Sequence, residues 1–180
     1  MMVTVRQVDS GDDFTMHAPQ IINNVTYSKV ERTICITPTT TNSNEYITIV
    51  VSLLSSYPIT FDLTLFEMKD FSTSLNKMES VQDIGPTTPD YRFVNLLNVD
   101  EDSLLQIKVQ SDEDICALVS VQPMTCPVSD TESNIRQEGA FQSMLGIASF
   151  VFDHKGEENG VFVVFVVTEN DDICRRNSGY

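Results

Sequence analysis

The run Val161-Phe162-Val163-Val164-Phe165-Val166-Val167 constrains this chain more than any other stretch. It is apolar without a break, and every position is β-branched or aromatic, as expected of a central strand buried on both faces. It falls far short of the roughly 20 residues a membrane-spanning helix needs. Around it the sequence reads as short strands. Ile59-Thr60-Phe61-Asp62-Leu63-Thr64-Leu65 alternates apolar and polar, the pattern of a half-buried strand with one face on a core. Residues 46–54 are rich in β-branched side chains, and Ser55-Ser56-Tyr57-Pro58 supplies a turn after them. Residues 27–36, 91–97, 104–109, 115–121 and 141–152 are further strand candidates. Turns are marked at Gly85-Pro86, Asp100-Glu101-Asp102, Asp112-Glu113-Asp114 and Gly156-Glu157-Glu158-Asn159-Gly160. Residues 71–81 start in Ser and Thr and read as a loop. The expected fold is all-β: an antiparallel β-sandwich, jelly-roll-like and disulfide-stapled. Phe61, Leu63, Leu65, Ile107, Val119, Phe141, Val164 and Val166 are its expected core.

Composition narrows the functions. The chain has 180 residues and a hydrophobic fraction of 41%, enough for a folded core. Its formal charge is −15, and of its 11 basic residues only Arg175-Arg176 are adjacent. No basic stripe tracks a phosphate backbone, which argues against tight nucleic-acid binding at neutral pH. Four cysteines fit two disulfides in an oxidising compartment. Zinc is disfavoured, since neither C-x2-C nor H-x3-H spacing occurs and His17 and His154 are isolated. Acidic clusters recur at Asp9/Asp12/Asp13, Asp100-Glu101-Asp102, Asp112-Glu113-Asp114 and Asp171-Asp172. Calcium takes clustered oxygens, but no cluster has EF-hand spacing, and turns are where charges normally sit. No nucleophile elbow, P-loop or metal motif supports an enzyme, so neither a cofactor nor a metal is expected. Asn24-Val25-Thr26 is a glycosylation sequon.

The first residues, Met1-Met2-Val3-Thr4-Val5-Arg6, lack the apolar core of a signal peptide. Disulfide-type cysteines without a signal point to a piece whose signal and membrane anchor lie elsewhere. The expected division is 1–25, a terminal strand (3–8) and linker of a preceding β-domain; 26–176, the sandwich; and 177–180, a tail.

From Cys116 onward the order of residues is distinctive. It runs through Cys126-Pro127-Val128, Asp130, Asn134, Gly139, Phe141-Gln142, Met144, the valine-rich strand and Cys174. This order resembles the distal ectodomain of the SID1 transmembrane family. Upstream, Val3-Thr4-Val5-Arg6-Gln7 and Tyr27-x-x-Val30-x-Arg32-Thr33-x-Cys35 are similar to the family in shorter strings. The chain departs from the family at Ser129, where an aromatic residue is common, and at Leu145-Gly146-Ile147, where a more basic segment is common. The resemblance implies a membrane-proximal, non-enzymatic ectodomain on the extracellular or lumenal face of a plasma or endolysosomal membrane. It implies double-stranded RNA as a partner in uptake, and docking on the membrane domain of the same full-length protein, with homo-oligomerisation compatible. Of the three pairings four cysteines allow, it implies Cys35–Cys126 and Cys116–Cys174. Lys108, Arg136, Gln142, His154 and Lys155 are the candidate RNA contacts, with His154 read as a turn residue beside Lys155. The alternative is a structural module for self-association or docking, without RNA contact. A carbohydrate- or lipid-associated enzyme stays open only because sandwiches host many functions.

Overall fold

The computed structural model describes residues 1–7, 14–34, 47–53, 55–68, 71–100, 102–125, 128–137, 140–156 and 159–176. Twelve strands and one short helix follow in order. They are β1 (Met2–Gln7), β2 (Phe14–His17), β3 (Gln20–Ile22), β4 (Val25–Tyr27), β5 (Ile47–Ser52) and β6 (Ser72–Thr73). Then come β7 (Asp90–Asn95), β8 (Leu104–Gln110), β9 (Cys116–Pro123), β10 (Phe141–Leu145), β11 (Ile147–Asp153), β12 (Gly160–Val167) and α1 (Asp172–Arg176).

The valine-rich run takes the place its composition predicts. β12 lies inside a seven-stranded sheet of order β6-β7-β12-β9-β10-β11-β8. It pairs antiparallel with β7 and with β9, so both its edges and both its faces are covered. Its even-numbered residues Phe162, Val164 and Val166 join Tyr91, Leu118, Val128 and Ile135 in one cluster. On the other face, Val161 joins Leu96 and Val121, and Val163 and Phe165 pack against Ala117, Val119 and Met144. Tyr91 meets Phe162 edge to face, with centroids 5.3 Å apart.

One sheet covers itself because it folds over. β10 and β11 share a single paired position, Leu145↔Ile147, around Gly146 at φ 79°. A positive φ of that size is one that a residue without Cβ adopts freely. Beyond this corner β11 and β8 pair along their full length and lie back over the β12–β9–β10 face. Phe150 and Ala148 then meet Val119 and Met144, while Leu105, Ile107 and Phe152 meet Val121 and Val161. The result is the two-layer arrangement expected from sequence, antiparallel among the described pairings except for the short parallel one between β6 and β7. A separate three-stranded sheet, β2-β1-β5, buries Val3 and Val5, and β3 and β4 form a hairpin through Asn23 and Asn24, both at positive φ.

The structure corrects several expectations. Residues 59–65 form no strand, and Phe61, Leu63 and Leu65 are 41%, 51% and 67% exposed rather than core. Alternation equips a segment with one apolar face but does not supply a neighbouring strand, and among the described residues none pairs here. Of the 27–36 candidate, Tyr27 ends β4, residues 28–34 are outside any ladder, and 35–36 lie outside the described residues. The 141–152 candidate is two strands, broken at Gly146. Ile107 and Phe141 pack on the core but stay half-buried. Val119, Val164 and Val166 are buried as expected.

Candidate functional site

The end of the sandwich where β9 starts and β12 finishes is held by several independent bonds. Cys116 opens β9 and is joined to Cys174 of α1, with Cα atoms 5.8 Å apart. This is the pair the family resemblance implies. Thr168 continues β12, and its amide donates to the Cys116 carbonyl at 3.0 Å. Its Oγ1 donates to the Asn170 carbonyl at 2.7 Å. The Asn170 side chain accepts the Asp172 amide at 2.9 Å and so caps α1. The β3–β4 hairpin is drawn in by Asn23, whose side-chain amide donates to the Glu169 carbonyl.

These elements border a cleft of about 670 Å³. Glu113 and Asp114 reach it from the β8–β9 turn, and Glu169, Asp171 and Asp172 from the segment after β12. Arg175 also lines it, and its guanidinium lies 3.3 Å from Asp171. The cleft is therefore strongly acidic, and at neutral pH it repels a phosphate backbone. Among the described residues no group of carboxylates, histidines and cysteines is arranged to hold a metal ion.

A second polar constellation closes the opposite face of β9. Asp130 is 7% exposed; Arg32 Nη1 donates to its Oδ1 at 3.4 Å and to its carbonyl at 3.1 Å. Burial pushes the Asp130 carboxyl above its ordinary range, while Arg32 pulls it back down. Burial likewise pushes the neighbouring Tyr91 phenol up to about 12. Gln122 clamps the loop at two points, donating to the Ser129 carbonyl at 2.9 Å and accepting its amide at 3.1 Å. Ser120 Oγ donates to the Arg136 carbonyl at 2.7 Å. Sequence reading passed over Ser120 and Gln122. Their signal was present: two polar residues on one face of an otherwise apolar strand ask for buried partners.

The structure does not gather the five candidate RNA contacts. Lys108 is exposed on β8, pointing away from the interlayer face that Ile107 occupies. Arg136 is carried by the loop over the far face, through its bond to Ser120. Lys108 and Arg136 therefore look out from opposite sides of the sandwich. Gln142 sits across from Val119, half-buried on the interlayer side. His154 is not a solvated turn residue: it is 5% exposed. Its Nε2 lies 3.2 Å from the Asp100 carbonyl and 3.5 Å from Ser103 Oγ, closing the turn before β8. Lys155 is exposed and lies 3.8 Å from Asp102. Asn134 caps its own turn, its Oδ1 accepting the Thr131 amide at 2.8 Å. Asn24 is exposed at the β3–β4 turn. Cys35, Cys126 and Gly139 lie outside the described residues.

Fold and site together define a class: a disulfide-closed, acidic, antiparallel β-sandwich module. Residues 87–180 match the family described as dsRNA-gated channel SID-1, and the chain belongs to that family. Cholesterol uptake protein 1 of Caenorhabditis elegans is 31% identical over 160 residues, which is 89% of this chain and 20% of that protein. SID1 transmembrane family member 1 of Mus musculus is 30% identical over 153 residues, covering 82% of this chain and 18% of its own length. The protein of that name in Homo sapiens is 31% identical over 155 residues, with the same coverage of 82% and 18%. The chain thus spans about a fifth of the length of the curated relatives it matches.

Proposed function

We propose that this chain is a non-enzymatic ectodomain module of a SID1-type membrane protein that takes up double-stranded RNA. The observation that carries this reading is the match over 87–180 to a family described as a dsRNA-gated channel. That segment holds β7 to β12, hence most of the sandwich, and the Cys116–Cys174 bridge. A disulfide supports an extracellular or lumenal location, where thiols oxidise. Exposure of Asn24 in a hairpin turn supports glycosylation there. In this reading 1–25 belong to a preceding β-domain, 26–176 hold the sandwich that docks on the membrane domain, and 177–180 are a tail; the separate β2-β1-β5 sheet draws Ile47–Ser52 to the first of these.

Within this reading, RNA contact rests on shape and phosphate rather than base edges. Lys108, Lys155 and Arg136 are its cationic candidates and Gln142 its polar one. His154 contributes by fixing the turn that carries Lys155. Two observations favour a second reading, a structural module with RNA handled elsewhere in the protein. Lys108 and Arg136 are on opposite sides, and the one cleft described above is lined by carboxylates. A titration with long double-stranded RNA at pH about 7.4 and about 5.5, each at low and moderate salt, separates them. Direct contact requires weak binding at neutral pH, a gain on acidification as carboxylates lose charge, and steep loss with salt. Absence of binding in all four conditions assigns the chain the structural role.

A further inference from the structure

We propose that residues 28–34 form an arm that acidification fastens more tightly across the sandwich, with the Asp130 carboxyl as the group that takes up the proton. The inference is independent of the RNA reading. The arm leaves the β3–β4 hairpin and belongs to no ladder, yet residues 30–34 are half-buried. Three residues of the sandwich hold it. Thr87 is 3% exposed; its carbonyl accepts the Glu31 amide at 3.0 Å, and its Oγ1 donates to the Lys29 carbonyl at 2.9 Å. The Tyr91 hydroxyl bonds the Thr33 side chain. Asp130 accepts the Thr33 amide on its carboxylate, and Arg32 on both the carboxylate and the main-chain carbonyl.

The lengths of these bonds set the direction of the pH effect. Arg32 Nη1 stands 3.4 Å from Asp130 Oδ1 but 3.1 Å from the Asp130 carbonyl, so its closer bond is one that no proton removes. The carboxylate is buried against a long ion pair and one amide, and covering a charge on such terms is costly. Among the described residues the other charged groups around it do not offset that cost. On the arm, Lys29 is paired with Glu31 at 2.8 Å. On β7, Tyr91 stays uncharged, with its phenol pushed up to about 12, and Asp90 is paired with Arg92 at 3.1 Å. In the loop of Asp130 itself, Glu132 turns away to accept the Glu169 amide, and Arg136 is exposed. β9 and β12 carry no titratable side chain. A proton on Asp130 therefore relieves the cost of covering it, while the bonds from Thr87, Tyr91 and the Asp130 carbonyl persist. With the arm lifted, the same carboxyl regains water, so the covered form binds the proton more readily; burial accordingly pushes it above the ordinary range. Acidification favours the closed arm, and rising pH loosens it.

The test is amide exchange on the 180-residue chain, read as protection factors corrected for the intrinsic pH dependence of exchange, from pH about 7 to about 4. The Glu31 amide reports the arm itself, because its bond goes to Thr87 and not to Asp130. Its protection should rise severalfold on acidification relative to the amides of β12. Asp130→Asn carries an uncharged side chain at every pH, and should show the higher protection already at neutral pH with no further rise. A measurement on the parent chain needs no variant to fold: the NMR shift of the Asp130 carboxyl carbon should titrate with the same midpoint as the Glu31 protection. Three results overturn the proposal: Glu31 protection that is constant or falls with acidification, an Asp130→Asn variant that keeps the rise, or a carboxyl midpoint that differs from that of the protection.

Discussion

Asp130 and Asp90 both have carboxyls pushed above the ordinary value of 3.8, chiefly by burial, with Arg32 and Arg92 opposing the shift. A carboxylate whose folded pKa is raised contributes stability that is present below the ordinary value and lost as pH rises through the folded one. Mild acidification from neutral pH should therefore raise the melting temperature through these two groups. Asp130→Asn should flatten that rise, and calorimetry across the window above pH 3.8 checks it; identical profiles for parent and variant would refute the assignment. Space rather than charge governs Gly160. A Cβ there would sit 2.4 Å from the Val94 carbonyl oxygen and 2.5 Å from the Phe93 ring. Backbone has no room to yield, so Gly160→Ala should destabilise by at least 1–3 kcal/mol, roughly the cost of overpacking. Val164 is fully buried, and Val164→Ala should cost about 2–4 kcal/mol in urea unfolding.

Elements were legible in the sequence where local pattern and tertiary place agree. β12 was readable because a continuously apolar run suits only a strand covered on both faces, and β8 because its alternation meets a real layer boundary. Residues 59–65 carry an equally clear alternation, yet a pattern cannot say which strand, if any, lies alongside. The corner at Gly146 was hidden for the opposite reason: apolar residues flank it on both sides, and one glycine gives little local signal that a strand has folded over. The acidic cleft was visible only as scattered turn charges, since its walls come from segments far apart in the chain. Its Arg175 and Asp172 ride on α1, a helix too short for periodicity to announce. The disulfide that anchors α1 bridges positions separated by 58 residues. Replacing both cysteines by alanine should lower stability by about 2–4 kcal/mol, read as a lower denaturant midpoint with a steeper slope, since the unfolded chain without its cross-link exposes more surface. An unchanged midpoint would mean that Thr168 and the Asn170 cap hold this end unaided.

At the scale of the whole molecule, a formal charge of −15 on 180 residues means that the compact state works against its own repulsion. Added monovalent salt should raise the melting temperature at neutral pH, most steeply below about 0.1 M, where the screening length exceeds about 10 Å. A salt-independent transition would refute net repulsion as a factor in the stability of the fold. The fold-over at Gly146 has its own consequence, in the order in which the protein opens. β11 and β8 bond to one another throughout, but to the remaining strands at one paired position. They are thus a unit that lifts away by breaking side-chain contacts, with little backbone hydrogen bonding to lose. Native-state hydrogen exchange should find the amides of these two strands exchanging together, at a lower free energy than those of β12. The sandwich would then have a door rather than uniform walls.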